Sequence, residues 1–171
     1  MILKLLGALI LIFATGNIGF TMARSLKRRV LLLSQLQGLL QFLVTEIDFA
    51  VTLLPEALIK VGESMGPEID HFCQEVVSSL QLGLPLSIAW ERSLSTLSDI
   101  TSLSGDDTKP LKALAPVLGL SDRKDQLRHL KLAQEHLRQR EVKAEQEANQ
   151  NQKLWCYLGV LSGLVIVLIL V

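Results

Sequence analysis

MILKLLGALILIFATGNIGFTMARSLKRR, residues 1–29, decides the fold class of this chain. From Ile2 to Ala23 only Lys4 and Asn17 interrupt an apolar run. As a helix that run reaches roughly 33 Å, enough for a hydrocarbon core of about 30 Å. A cleaved secretory signal is the rival reading, and it needs a shorter apolar core and a small-x-small cleavage site. No Ala-x-Ala closes the run, and Arg24, Lys27, Arg28 and Arg29 follow it at once. A retained span fits better. Those four cations outweigh Lys4 and the amino terminus, so the chain after them is expected in the cytoplasm and the N-terminus outside.

The other apolar block is LWCYLGVLSGLVIVLILV, residues 154–171. It reaches roughly 27 Å as a helix, short but sufficient to cross. Lys153 precedes it, and Trp155 and Tyr157 stand where an interfacial belt would be. Two spans return the chain outward, with both termini outside the cytoplasm. Three domains follow: an N-terminal transmembrane helix at 1–23, a cytoplasmic bundle at 24–153, and a C-terminal transmembrane helix at 154–171. Gly159 and Gly163 are four apart on one face of the second span, and Thr15 and Gly19 repeat that spacing on the first. Lipid gives no hydrophobic reward for pairing helices, so small faces that admit close backbones are the candidates for packing. Gly163 either packs on the first span or on a second copy's tail, or is the glycine that membrane helices commonly carry.

The middle contains no useful period-2 pattern, and Leu, Ala, Gln, Glu and Lys favour helix. Leu32, Leu36, Leu39, Leu40, Leu43 and Ile47 form a stripe at helical spacing, widened by Leu33, Phe42 and Val44. Gly38 within it is a tolerated weak point or a close contact. Pro55 ends this helix and opens the next; Pro67, after Gly66, opens a third; Gly83 stops the third, and Pro85 opens a fourth. A polar linker, SDITSLSGDDTKP, should feed a short helix around LKALAPVL with Gly119 as its C-cap. Ser121 or Asp122 then caps a long last helix with a thin stripe, Leu127, Leu130, Ala133, Leu137, Ala144 and Ala148. The fold class is all-α: a bundle of about six helices held between the two spans. The two Pro corners are expected at the end of the bundle distant from the membrane. Their similar grammar leaves a duplicated hairpin open.

The chain has 17 basic and 17 acidic residues, so balanced charge gives no reason to expect nucleic acid. Cys73 would lie in a reducing compartment and Cys156 at the membrane edge, which argues for free thiols. Gly105–Asp106–Asp107–Thr108 reads as a solvated turn with an N-cap rather than metal-binding carboxylates. His71, His129 and His136 lack metal-ligand spacing. No phosphate loop or nucleophile elbow occurs. No cofactor, metal or catalytic residue is assigned. The mixed charges from Arg138 to Lys153 read as a solvated helix face.

The chain resembles the stage III sporulation protein AB family along essentially its whole length. The resemblance is carried by MILKLLGALILIFATGNIGFTMA, TEIDFAVTLLPEAL, GLPLSIAWERSL, LGLSDRKDQLRHLKLAQEHL and KLWCYLGVLSGLVIVLIL. The spacing L-G-x-S-D-x-x-x-Q, Leu118 to Gln126, followed by a terminal L-G-V-L-x-G-L span, is its most specific part. Two places depart: Phe49-Ala50-Val51-Thr52-Leu53-Leu54 stands where Tyr-Gly-x-Thr-Pro-Leu is common, and Leu114-Ala115 where Phe-Gly is common. The resemblance implies a non-enzymatic platform or adaptor in the mother-cell membrane, within a transenvelope complex facing the forespore. Its cytoplasmic part is similar to the platform proteins of type II secretion and type IV pili. It also implies a cytoplasmic secretion-type ATPase and other membrane subunits as partners, with a homo-oligomer compatible. The candidate contact residues are Pro55, Glu56, Gly83, Pro85, Trp90, Asp122 and Gln126. The alternatives are a membrane-anchored coiled-coil tether and a membrane-bound enzyme using Asp106 and Asp107, with Asp122 a further candidate.

Overall fold

The computed structural model describes residues 2–49, 54–118 and 122–170. Among them the chain is all-α: α1 Ile2–Phe49, α2 Leu54–Met65, α3 Pro67–Gln81, α4 Leu86–Ile100, α5 Gly105–Lys112 and α6 Arg123–Leu170. The expected punctuation is in place. Pro67 sits in the first turn of α3 behind Gly66, whose φ of 117° suits glycine. A Cβ at Gly66 would also lie 2.8 Å from the Gln35 amide nitrogen. Asp122 caps α6, its Oδ1 accepting from the Asp125 amide at 2.7 Å. The expected roles of Gly119 and Ser121, and the departure at 50–53, lie outside the described residues.

One element differs from expectation. The short fifth helix is not LKALAPVL but Gly105–Lys112, and α4 already takes in Ser98, Asp99 and Ile100 of the linker. The reason is a reciprocal cap. Asp107 N donates to Ser104 Oγ at 3.3 Å, and Ser104 N donates to Asp107 Oδ2 at 2.9 Å. Two otherwise unpaired amides are satisfied, and the helix starts there. Beyond Lys112 the backbone tightens into i→i−3 turns, as in Leu114 N to Leu111 O at 3.1 Å and Val117 N to Leu114 O at 2.9 Å. Pro116 disfavours an α conformation at Ala115 and brings no amide of its own.

Packing divides the chain into two compact units. One comprises 31–142. Here α1 contributes Leu32, Leu33, Leu36, Leu39, Leu40 and Leu43, all buried, as the stripe requires. α2 packs on α3, α3 on α4, and α4 on α5. Phe72 and Trp90 meet edge to face, centroids 5.0 Å apart at 82°, and Trp90 Nε1 donates to Leu111 O at 2.9 Å. That bond fixes α4 to the end of α5. Gly38 is a close contact: a Cβ there would stand 3.0 Å from Met65 Cε.

The other unit comprises 1–30 and 143–171. α1 is the one helix among the described residues that is long and apolar enough to cross a membrane, over Phe13–Phe49. The part of that stretch from Leu32 on belongs to the core just described, which leaves the candidate crossing portion nearer the N-terminus. These limits come from packing; the limits at 23 and 154 read from the sequence concern a bilayer.

Candidate partner surface

The two Pro corners and the start of α6 converge at one end of the 31–142 unit. α3 finishes in a paired C-cap: Leu84 N donates to Ser79 O at 3.1 Å and Gly83 N to Leu80 O at 3.0 Å, with Gly83 at φ 83°. The turn leaves Leu82 81% exposed and leads through Pro85 into α4. Arg123 Nη2 meets Asp48 Oδ1 at 3.1 Å, joining the end of α1 to the start of α6. Between them lies a cavity of about 230 Å3, walled by Leu43, Ile47, Leu54, Leu58, Leu86, Trp90, Leu118 and Gln126. Leu54 and Leu86 open the helices that follow the two corners, so both corners border one hollow.

Around it, Glu56, Gly83, Pro85 and Asp122 are exposed, while Pro55 and Gln126 are half-buried. Trp90 requires a correction. It is 1% exposed and hydrogen-bonded inside the core, so it supports the corner from within and offers no contact surface.

A polar node lies elsewhere in the same unit, where α5 meets α6. Asp107 is fully buried. Its Oδ1 accepts from Arg140 Nε at 3.0 Å, while Oδ2 serves the cap. Asp106 is exposed; it accepts from Lys109 Nζ at 2.7 Å and has Arg140 Nη2 at 3.5 Å. The Lys109 bond and charge, then Arg140, hold the Asp106 carboxyl below the usual range. The expected solvated turn is thus half right. The N-cap is there, but Asp107 is an interior ion-paired group, because the cap turns its second oxygen toward α6. Both carboxylates are engaged by cations, and no group of three or more potential metal ligands occurs among the described residues.

The stretch Arg138–Lys153 is likewise more than a solvated face. Arg140 reaches α5, Glu141 Oε2 accepts from Gln37 Nε2 at 2.7 Å, and Glu147 Oε2 meets Arg29 Nη1 at 2.7 Å. Gln134 adds a bond to Gln41 Oε1 at 3.1 Å. Within the 31–142 unit the Gln37 and Gln41 bonds make an α1–α6 polar seam beside the Leu stripe, and Arg29–Glu147 belongs to the other unit. Arg138 does stay outside, paired with Glu135, whose carboxyl that bond brings down to about 2.

One further residue escaped the sequence reading. Gly62 lies where α2 and α3 approach: a Cβ would meet Asp70 Oδ1 at 3.0 Å, Asp70 Cα at 3.1 Å and Cys73 Cβ at 3.1 Å. Cys73 itself is buried, and burial, then the Asp70 charge, pushes its thiol up to about 12. It is a packing thiol with almost no thiolate at neutral pH.

In the unit of the two chain ends, Gly19 and Gly163 are buried and Thr15 is half-buried. Gly159 lies in α6, but its surroundings, like the Cys156 side chain, lie outside the described residues. The other buried residues described there are Ala23, Ala144 and Ala148. Large apolar side chains point outward instead: Phe13, Ile18, Phe20, Leu154, Tyr157, Leu158, Leu161 and Val165 are each more than half exposed.

Comparison with known proteins gives a consistent result. The profile of the family described as "Stage III sporulation protein AB" matches residues 4–171. A protein of Bacillus subtilis (strain 168) named "Stage III sporulation protein AB" is 35% identical over 169 residues, covering 98% of this chain and 99% of that one. A solved structure titled "Stage III sporulation protein AB (SpoIIIAB)" is 31% identical with a TM-score of 0.68, covering 72% of this chain and 98% of its own.

Proposed function

We propose that this chain, which belongs to the stage III sporulation protein AB family, works as a non-enzymatic membrane platform. In this reading it is held by two spans with its 24–153 bundle in the cytoplasm, and the corner end of that bundle receives a cytoplasmic secretion-type ATPase. The observation that carries it is the inversion of burial between the two units. Where small residues are buried and large apolar ones exposed, lipid is the natural solvent; where Leu, Phe and Trp are buried and charges exposed, water is. Trp155, 41% exposed, and Tyr157, 65% exposed, fit a headgroup belt at the second span. The cations at Arg24, Lys27, Arg28 and Arg29 support a cytoplasmic bundle, and the family supports a mother-cell membrane facing the forespore.

The corner end suits a docking role on physical grounds. A Schellman turn, two Pro-opened helices and the Arg123–Asp48 pair hold Leu82, Gly83, Pro85, Glu56 and Asp122 on rigid supports. The tether alternative requires α2–α5 to be dispensable. Yet Trp90, which meets Phe72 edge to face, walls the same cavity as Leu43 of the α1 stripe, and removing residues 49–118 would uncover that stripe.

Site-specific photocrosslinking in sporulating cells tests the reading. A photoreactive residue at Gly83 or Pro85 should capture the ATPase, whereas one at exposed Glu145 should not. Orientation is tested separately with Leu82→Cys, since Cys73 is too buried to report. The new thiol should resist an impermeant reagent in intact protoplasts and react once they are permeabilised. Labelling of intact cells would reverse the orientation and remove the docking proposal.

A further inference from the structure

Asn17 is the polar residue that the platform reading leaves unexplained. It is exposed on α1, and Arg24, the first cation of the membrane edge, is seven residues away. At 1.5 Å per residue Asn17 sits about 10 Å inside that edge, too deep for a short side chain to reach headgroups. Its Nδ2 donates one bond, to Phe13 O at 3.1 Å. The second amide proton and the carbonyl oxygen have no hydrogen bond among the described residues. Polar side chains inside a bilayer turn toward protein, because hydrocarbon offers no partner.

The chain's own second helix does not serve. Gly19 and Ala23 mark the face of α1 that is buried in this unit. Asn17 lies about 120° to 160° around the helix from them, at 3.6 residues per turn. On one side of Asn17, within about 60°, are Ala14 and Thr21, both exposed and both small, while the exposed Phe13 and Phe20 flank it on the other side. Thr21 Oγ1 is already bonded to Asn17 O at 2.8 Å, so its hydroxyl needs nothing further. The cation below, Arg24, lies over the Phe20 ring of its own helix at 5.2 Å, toward the other side of the face.

We propose that Asn17 is the contact point with a second copy of this chain. The Ala14–Asn17–Thr21 faces of two copies meet in the bilayer, and each Asn17 amide donates to the other's carbonyl oxygen. A carboxamide is self-complementary, carrying donor and acceptor together, so a symmetric pair satisfies both copies with one residue type. With Phe13 and Phe20 to one side, the seam runs along Ala14, Asn17 and Thr21, spaced three and four apart, and the small Ala14 and Thr21 let the backbones approach there. The inference rests on the first span being in lipid.

The test uses the full-length chain in membranes of a heterologous bacterial host, with Cys156→Ser and a single new cysteine. Oxidation should link copies through Ala14→Cys and through Thr21→Cys, but not through Met22→Cys, which is exposed on another side. Adding Asn17→Leu, which keeps the helix apolar enough to insert, should weaken association about threefold to tenfold. Asn17→Gln should retain it. No linkage at positions 14 and 21, linkage indifferent to Asn17→Leu, or linkage only to a host protein would overturn the second-copy proposal. Carbonate extraction separates that failure from a failure of the span: a chain washed off the membrane refutes the span itself.

Discussion

Arg140 and Asp107 in one part of the molecule, and the buried Gly19 and Gly163 in another, mark two different kinds of interior. In the 31–142 unit, α5 is tied to α6 by a fully buried carboxylate and a guanidinium at 3.0 Å, inside a core of Leu, Phe and Trp. In the unit of the chain ends, the buried residues described are Gly and Ala, and bulky apolar groups face outward. Water rewards burial of large apolar groups; lipid does not, and leaves close backbone contact as the source of attraction. One chain therefore has two packing rules, and the change of rule along α1 and α6 marks the change of proposed solvent.

The sharpest way to break the comparison is to remove a charge from the core of Leu, Phe and Trp. Arg140→Ala leaves Asp107 buried without its cation and should cost about 3–5 kcal/mol of stability, read by urea unfolding of the detergent-solubilised chain. A loss below about 1 kcal/mol would mean that Asp107 reaches water. A double Asp106→Asn, Asp107→Asn variant is thus a poor test for catalysis, since it removes this pair. Asp106→Asn alone leaves the buried carboxylate in place and is the cleaner variant. Gly62→Ala forces a methyl against the Asp70 backbone and Cys73 and should cost about 1–3 kcal/mol in the same measurement.

The corresponding change in the other unit is Gly163→Leu. It adds apolar surface, so insertion should persist, while association of the two chain ends weakens by about 1–2 kcal/mol. Disulfide trapping between cysteines placed at Thr15 and Gly163 reports the intrachain pair. The smallest effect is expected at Arg123–Asp48, also an Arg–Asp pair but with both side chains more than half exposed. Arg123→Gln should change stability by less than about 1 kcal/mol. Equal losses at Arg123 and Arg140 would show that burial does not distinguish the two sites.

Much of this was legible in sequence, for identifiable reasons. The Leu32–Leu43 stripe repeats at helical spacing, and Pro55, Pro67, Gly83 and Pro85 act locally, so helix order followed from neighbours along the chain. The cap at Ser104 and Asp107 was legible too, since the two stand three apart, but a polar linker concealed it and displaced α5. The Arg140–Asp107 bond joins residues 33 apart and has no local signature. Gly62 looks like any helix glycine until α3 is laid against it. Trp90, an aromatic residue near a Pro corner, suggested a contact in sequence, and only its burial and the Leu111 bond show its core role.

Lipid or water around each unit can be measured directly. Spin labels on single cysteines, with Cys156→Ser and the unreactive Cys73 kept, would be placed at Phe13, Leu158 and Val165, and at Leu82, Ile88 and Leu132. All six positions are more than half exposed and apolar in nature. In bilayers of the reconstituted full-length chain, the first three should collide with dissolved oxygen and be shielded from a water-soluble nickel complex, and the last three should behave oppositely. Nickel access at Leu158 and Val165 equal to that at Leu82 would contradict the two-solvent account.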